Sequence, residues 1–390
     1  MPLNRKLRYG MVGGGPGAFI GEVHRKAAAL DGMMDLVAGA FSSDAAKSKQ
    51  QGEALFLDPN RVYDSFEEMA EKEAALPADQ RIDFVSIVTP NFLHFAIAKA
   101  FIERGFHVVC DKPMTTTLED AEALCRLVEK HDVVFALTHN YTGYPMVKQA
   151  RAMVQNGELG DIRKIVVEYP QGWLATRLEE TGSKQAEWRT DPSKAGVSSA
   201  VGDIGSHAEN LARYVTGLEI ESLHADITTF VPGRALEDDA NMLVHFKGGA
   251  RGILYCSQVS VGEENNHRIR VYGTKASLEW HQETPNYLSV RSSDGPERIF
   301  KRGNDYLSDA AKGASRLPSG HPEAFIEAFA NIYVSAGRAI ATRIAGDEPA
   351  PESTDFPTVR DGAIGVHFIH KAIESGKKRD WVDASYTPPT

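Results

Sequence analysis

Through the first 140 or so residues, short apolar runs alternate with segments of helical pattern, and a chain built that way folds as a parallel sheet joined by crossover helices. The strand-like runs are LRYGMV (7–12), MDLVAGAF (34–41), DFVSIV (83–88), HVVC (107–110) and VVFALT (133–138). Ser65 with Glu68 has the capping-box pattern, and Thr117 with Asp120 a weaker form of it. After about residue 155 the character changes: IRKIVVEYPQGW (162–173), SLHADITTFV (222–231), NMLVHF (241–246), RGILYCSQV (251–259), HRIRVYG (267–273) and ASLEWH (276–281) follow one another with turn residues between. Strands so close together predict an antiparallel meander, with one face buried and the other left for a partner or substrate. Helical segments at about 321–343 and 357–376 close the chain, and PAPES (349–353) between them is a loop. The expected class is α/β: a doubly wound parallel sheet, then an α+β region on a large, mostly antiparallel sheet.

At 390 residues the chain is long enough for two domains. Its net charge of −10 argues against nucleic acid or an anionic membrane as a general partner, since both need a cationic surface. Cys110, Cys125 and Cys256 are too few and scattered for a disulfide framework or zinc ribbon. No apolar run has the length of a signal peptide or a membrane span. A cytoplasmic protein is expected.

The first strand runs into GGGPGAFIGEVH (13–24), a glycine turn of the kind that lets backbone approach a pyrophosphate at a helix N-terminus. Gly13 and Gly15 fit the usual spacing, but the third glycine is Gly21, as if two residues had been inserted; Ala18 is the poorer alternative. A glycine turn with no ligand is the bland reading. The second strand ends in Phe41-Ser42-Ser43, and Asp44 lies later than an acid that binds the ribose of NAD should. Lys47 and Lys49 could face a 2′-phosphate or be solvated helix lysines. NAD is expected, with NADP left open.

Two further strand ends carry polar residues where open α/β sheets bind ligands: Thr89-Pro90-Asn91 with His94 opening a helix, and Asp111-Lys112-Pro113. A lysine at such an end, followed by a proline, is held in place. With His24 after the glycine turn, these stretches, Asn140-Tyr141, the Gly-Asp-x-Gly-x-His run at 202–207 and Asp361-Gly362 make the chain resemble the glucose–fructose oxidoreductase, inositol dehydrogenase and rhizopine catabolism (Gfo/Idh/MocA) family along nearly its whole length. The resemblance implies an NAD(P)-binding Rossmann domain at 1–142 and a substrate-binding α+β domain at 143–390 whose sheet often mediates dimers or tetramers. It implies hydride transfer between the nicotinamide and a carbon bearing a hydroxyl or carbonyl on a sugar or cyclitol. Lys112, Asp203 and His207 carry over as the catalytic set, with Gly13, Gly15, Gly21, Ser42, Ser43, Thr89, Asn91, His94, Asp111, Lys112 and Asn140 toward the cofactor. Two departures stand out: Asp111 replaces the usual Glu, and the glycine loop is longer.

The residues suit that chemistry. A base must take the hydroxyl proton as the C–H bond breaks, and histidine's pKa lies near working pH, so His207 is the expected acid/base. The Lys112 ammonium would stabilise the developing alkoxide. Asp203, four residues before His207, shares its helix face and can meet the imidazole or a substrate hydroxyl. Gly202 and Gly205 would let a sugar ring approach. The rival readings are an N-cap for Asp203 beside a core histidine, or a metal pair; with no third ligand at convincing spacing, no metal is expected. Trp173, Arg177, Trp188 and Arg189 in the polar segment 171–196, with Tyr141 and His321, are candidate substrate contacts, although each could equally be structural. The leading function is a dehydrogenase of a sugar, glycoside, anhydrosugar or inositol. The same residues could serve an oxidoreductive glycosidase that oxidises C3 transiently, and a cofactor-binding sensor is the non-enzymatic alternative.

Overall fold

The computed structural model describes residues 3–350 and 354–390, so the last part of the PAPES loop lies outside the described residues. The chain divides into two compact units, one holding residues to Asn140 with Ile326–Ala363 and Pro388–Thr390, the other Tyr141–Phe325 with Ile364–Thr387.

The first unit runs β1 (Leu7–Gly13), α1 (Phe19–Leu30), β2 (Met34–Ala40), α2 (Ala45–Ala54), α3 (Phe66–Ala75), β3 (Phe84–Val88), α4 (His94–Ile102), β4 (His107–Cys110), α5 (Leu118–His131) and β5 (Phe135–Leu137). Its strands form one sheet in the order β2-β1-β3-β4-β5, and every pairing is parallel. All five expected runs are strands; β3 and β4 are buried at every residue, as a sheet covered on both faces requires. The chain leaves β1 toward β2 and returns on its other side as β3, and such a reversal opens a ligand crevice at the carboxyl ends of the strands. Both capping signatures are real: Ser65 Oγ accepts from Glu68 N at 3.2 Å and Thr117 Oγ1 from Asp120 N at 3.2 Å.

The second unit runs α6 (Pro145–Gln155), β6 (Ile162–Pro170), α7 (Lys184–Thr190), α8 (Pro192–Ala195), a π-helical turn (Val201–Gly205) continuing directly into α9 (Ser206–Thr216), β7 (Ile220–Thr228), β8 (Asp239–Phe246), β9 (Arg251–Ser257), β10 (Arg268–Gly273), β11 (Ala276–His281), β12 (Tyr287–Ser292), β13 (Arg298–Lys301) and α10 (Asp309–Gly313). The long helices α11 (Phe325–Ile344) and α12 (Val359–Lys378) follow, then β14 (Val382–Asp383). Most of α11 belongs to the first unit, where it lies so close to the sheet that a Cβ on Gly337 would come within 2.4 Å of Met34 Cε.

The nine strands order as β13-β12-β11-β10-β6-β9-β8-β7-β14. The expected single meander is corrected here. Two meanders, β7–β9 and β10–β13, flank β6, which pairs antiparallel with β10 but parallel with β9. Strands β12, β13 and β14 escaped the sequence reading because they are short, polar or edge segments that form by pairing rather than by an apolar pattern of their own. Burial alternates along the sheet: Met242, Val244, Leu254 and Cys256 are buried, while Leu243 (49% exposed) and Ile253 (36%) stand on the opposite face. Among the described residues, no helix is long and apolar enough to cross a membrane.

Candidate active site

In the first unit the glycine turn closes on itself. Gly13 has φ +87°, a conformation glycine adopts without strain, and a Cβ on Gly15 would lie 2.8 Å from the Phe41 carbonyl oxygen. The two extra residues are absorbed by a turn in which Ala18 N donates to Gly15 O at 3.0 Å, so that α1 begins at Phe19. Gly21 then sits inside α1, where a Cβ would be 2.4 Å from Gly14 Cα. Close helix packing on the turn is the work of the third glycine in a dinucleotide loop, and in this chain the tight contact falls at Gly21. Arg25 ties helix to turn by donating to Gly14 O at 3.0 Å.

At the end of β2, Ser42 Oγ accepts from Asp44 N at 3.1 Å, while Ser43 is exposed. Asp44 is the N-cap of α2, accepting from Ala46 N at 3.0 Å and Lys47 N at 3.2 Å; the bond from Lys47 N leads in holding its carboxyl below the usual range. Lys47 and Lys49 form exposed ion pairs with Asp44 and Asp64 at 3.6 Å, which favours the solvated-lysine reading.

The other strand ends are tied to one another. His94 is fully buried, with Nε2 2.9 Å from Thr89 O and Nδ1 2.9 Å from Pro113 O, so it braces the loops after β3 and β4. Burial lowers its pKa. Asp111 Oδ1 accepts from Lys112 N at 2.9 Å and from Thr138 Oγ1 at 3.1 Å, which fixes the backbone that carries Lys112. Asn91 is buried in the turn that opens α4. Thr89 Oγ1 and Asn140 Nδ2 are buried with no hydrogen-bond partner among the described residues. Buried polar atoms seek partners, so these two, with Thr89 packed against Gly13 of the glycine turn, fit a dinucleotide along the carboxyl ends of these strands.

In the second unit the π-helical turn sets the catalytic candidates; such turns are frequent at functional sites. Asp203 does not cap a helix. Its Oδ2 accepts from Arg189 Nε at 2.8 Å and Gln258 Nε2 at 2.8 Å. Gly205 serves packing rather than substrate access, because a Cβ there would meet Cys256 Sγ at 3.0 Å; at Gly202 the nearest atom is 3.5 Å away. His207 is buried on α9, with the Tyr141 ring edge-on at 4.8 Å and Tyr169 at 6.0 Å. Burial pushes the Tyr141 phenol up to about 12 and lowers the neighbouring His267 to about 3, so neither exchanges a proton near neutral pH.

The substrate candidates divide. The Arg189 guanidinium lies over Trp188 at 4.2 Å and Trp173 at 5.6 Å while holding Asp203, so these three belong with the turn that carries Asp203. Arg177 instead donates to Glu180 Oε1 at 2.6 Å and to Pro232 O at 2.8 Å, a surface brace. His321 is exposed, in a loop whose backbone is held by Arg302. Tyr141 is buried with its hydroxyl bonded to Tyr169 and Asn265, and is a wall of the cluster. Gln258, Tyr169 and Asn265 went unnoticed in the sequence. The tail of the β9 run and the end of the β6 run carry the first two, but only the parallel β6–β9 pairing brings those strand ends together. Among the described residues, no three His, Cys, Asp or Glu side chains gather as a metal site requires.

Residues 7–141 match the model of an oxidoreductase family with an NAD-binding Rossmann fold, and residues 147–279 that of the GFO/IDH/MocA C-terminal domain. An oxidoreductase from Sinorhizobium meliloti is 47% identical, covering 97% of this chain and 100% of its own, with a TM-score of 0.86. An inositol dehydrogenase homolog from Azotobacter vinelandii, solved with NADH and myo-inositol, is 36% identical over 98% of each chain, with a TM-score of 0.91. Levoglucosan dehydrogenase from Pseudarthrobacter phenanthrenivorans is 28% identical over 75% of this chain and 78% of its own. The chain therefore belongs to the Gfo/Idh/MocA family of NAD-binding oxidoreductases.

Proposed function

We propose that the enzyme is an NAD-dependent dehydrogenase acting on a secondary hydroxyl of a sugar or cyclitol, with Lys112, Asp203 and His207 as its catalytic residues. The observation that carries this reading is the buried turn that holds an aspartate, clamped by an arginine and a glutamine, four residues before a buried imidazole. The likeness to a structure holding NADH and myo-inositol supports a polyol substrate. Bound NAD supplies the hydride acceptor for oxidation. His207 takes the hydroxyl proton, because the neighbouring phenols and His267 do not titrate in the working range. Lys112 donates a hydrogen bond to the oxygen as its charge grows. Asp203, in its ion pair with Arg189, presents a fixed carboxylate beside the base or to an adjacent hydroxyl. Trp173 and Trp188 offer faces for the C–H surface of a ring.

A panel of polyols, sugars and glycosides incubated with NAD or NADP, followed at 340 nm and for aglycone release, tests the reading. NADH accumulating in step with substrate consumed, without aglycone, is expected. Repeated aglycone release on trace NAD with no NADH accumulation would establish the glycosidase instead.

We further infer a homodimer or homotetramer joined through the open face of the nine-stranded sheet, where Leu243 and Ile253 are exposed. Leu243→Arg is expected to lower the sedimentation coefficient while leaving the circular dichroism unchanged; an unaltered coefficient would rule out this face. The three cysteines, all buried and unpaired, support a reducing, cytoplasmic setting.

A further inference from the structure

Asn265 lies in the connection that leads into β10, and its amide makes three hydrogen bonds. Nδ2 donates to Tyr141 OH at 3.3 Å, while Oδ1 accepts from Tyr169 OH at 2.7 Å and from Gln171 Nε2 at 2.7 Å. A carbonyl oxygen only accepts, so the one proton of Tyr169 is committed to Asn265. Tyr141 and Tyr169 are themselves hydrogen-bonded, and the Tyr141 proton must then go to Tyr169. The result is a closed ring, Tyr141 to Tyr169 to Asn265 and back to Tyr141, in which each phenol donates once and accepts once.

Both phenols are buried and both rings face His207, Tyr141 edge-on with an interplanar angle of 82°. Buried polar networks that are fully satisfied are rigid, and they are costly to open. The ring therefore holds two aromatic planes in one orientation around the imidazole. Gln171 extends the same network outward, since its Oε1 accepts from Trp173 Nε1 at 3.1 Å.

We infer that Asn265 is a positioning residue for His207, acting through the paired phenols and, by way of Gln171, setting the indole of Trp173. This rests on the acid/base reading of His207. Asn265→Ala would strand the Tyr169 hydroxyl and the Gln171 amide without their acceptor, and the imidazole would lose its fixed wall. Tyr169→Phe keeps the aromatic plane and removes the two ring bonds its hydroxyl makes, leaving Gln171 still bonded to Asn265.

The experiment is steady-state kinetics of full-length wild type, Asn265→Ala, Tyr169→Phe and His207→Ala across pH, with the functional fraction of each counted by NADH fluorescence titration. Asn265→Ala should lower kcat per NADH-binding site by about 10- to 100-fold, since misplacing a catalytic group by about 1 Å costs that much. The KM for NAD should stay within about twofold, and the midpoint of the rising limb of kcat/KM with pH should move by about half a unit or more as the surroundings of the imidazole change. Tyr169→Phe should change both in the same direction by less, and its near-isosteric side chain carries the test if the alanine variant does not fold. If His207→Ala is inactive while both other variants keep wild-type kcat per site and pH profile, the inference is overturned and the acid/base reading stands. If His207→Ala turns over normally, it is the acid/base reading that fails.

Discussion

Lys112→Met is expected to lower kcat by about a thousandfold, the upper end of what removing one oxyanion donor costs, in a protein that still binds NADH. Methionine keeps the length of the lysine stem and removes only the ammonium. The backbone beneath it is fixed independently of the side chain: Asp111 N donates to Ile87 O at 2.9 Å, and the Asp111 carboxylate takes the Lys112 N–H and the Thr138 hydroxyl. The shorter Asp in place of Glu thus has a visible task, that of holding the turn at the end of β4. Loss of rate in the variant would then report the missing charge on the reacting oxygen rather than a collapsed loop. A Lys112→Met enzyme within tenfold of wild-type kcat would remove this residue from the mechanism.

The second large effect concerns Gly21. An added Cβ meets backbone on the glycine turn at 2.4 Å and the Arg25 guanidinium at 3.3 Å, and the turn's own backbone cannot swing away as a flexible side chain could. Gly21→Ala should therefore push α1 off the turn, at a cost to stability of about 1–3 kcal/mol, as overpacking typically brings. The N–H groups that would face the pyrophosphate move with it, and NADH affinity should fall by about tenfold or more, equivalent to about 1.4 kcal/mol. Isothermal titration with NADH, with thermal denaturation in parallel, reads both. An unchanged dissociation constant would show that the longer loop does not use Gly21 as its third glycine.

Much of the first unit is legible because its chemistry is local. Strands β3 and β4 are continuous apolar runs bounded by polar ends, and the capping residues act within three positions of themselves. The second unit hides more. The parallel β6–β9 pairing joins residues 87 apart in sequence, such as Lys164 and Arg251, and no local periodicity announces it. Arginines in a polar segment look alike until their partners are seen: Arg189 reaches Asp203, whereas Arg177 ends on Glu180 and a carbonyl. His321 and Tyr141 look alike in sequence as candidate substrate contacts, yet one is exposed on a loop and the other is sealed in a hydrogen-bonded ring. Gly205 sits in a motif that suggested substrate access, and only the fold shows Cys256 against it. Neutral amides such as Asn265 and Gln258 carry no charge or motif to flag them, so their part depends wholly on tertiary placement.

The proposed role of His207, acceptor of the substrate's hydroxyl proton, is read directly in the pH dependence of kcat/KM for polyol oxidation. Oxidation needs the imidazole unprotonated, so the wild-type rate should rise with pH through the range in which the imidazole gives up its proton. In His207→Asn a low, flat profile is expected across that range. The same rising limb at the same midpoint in the variant would remove His207 from the acid/base role.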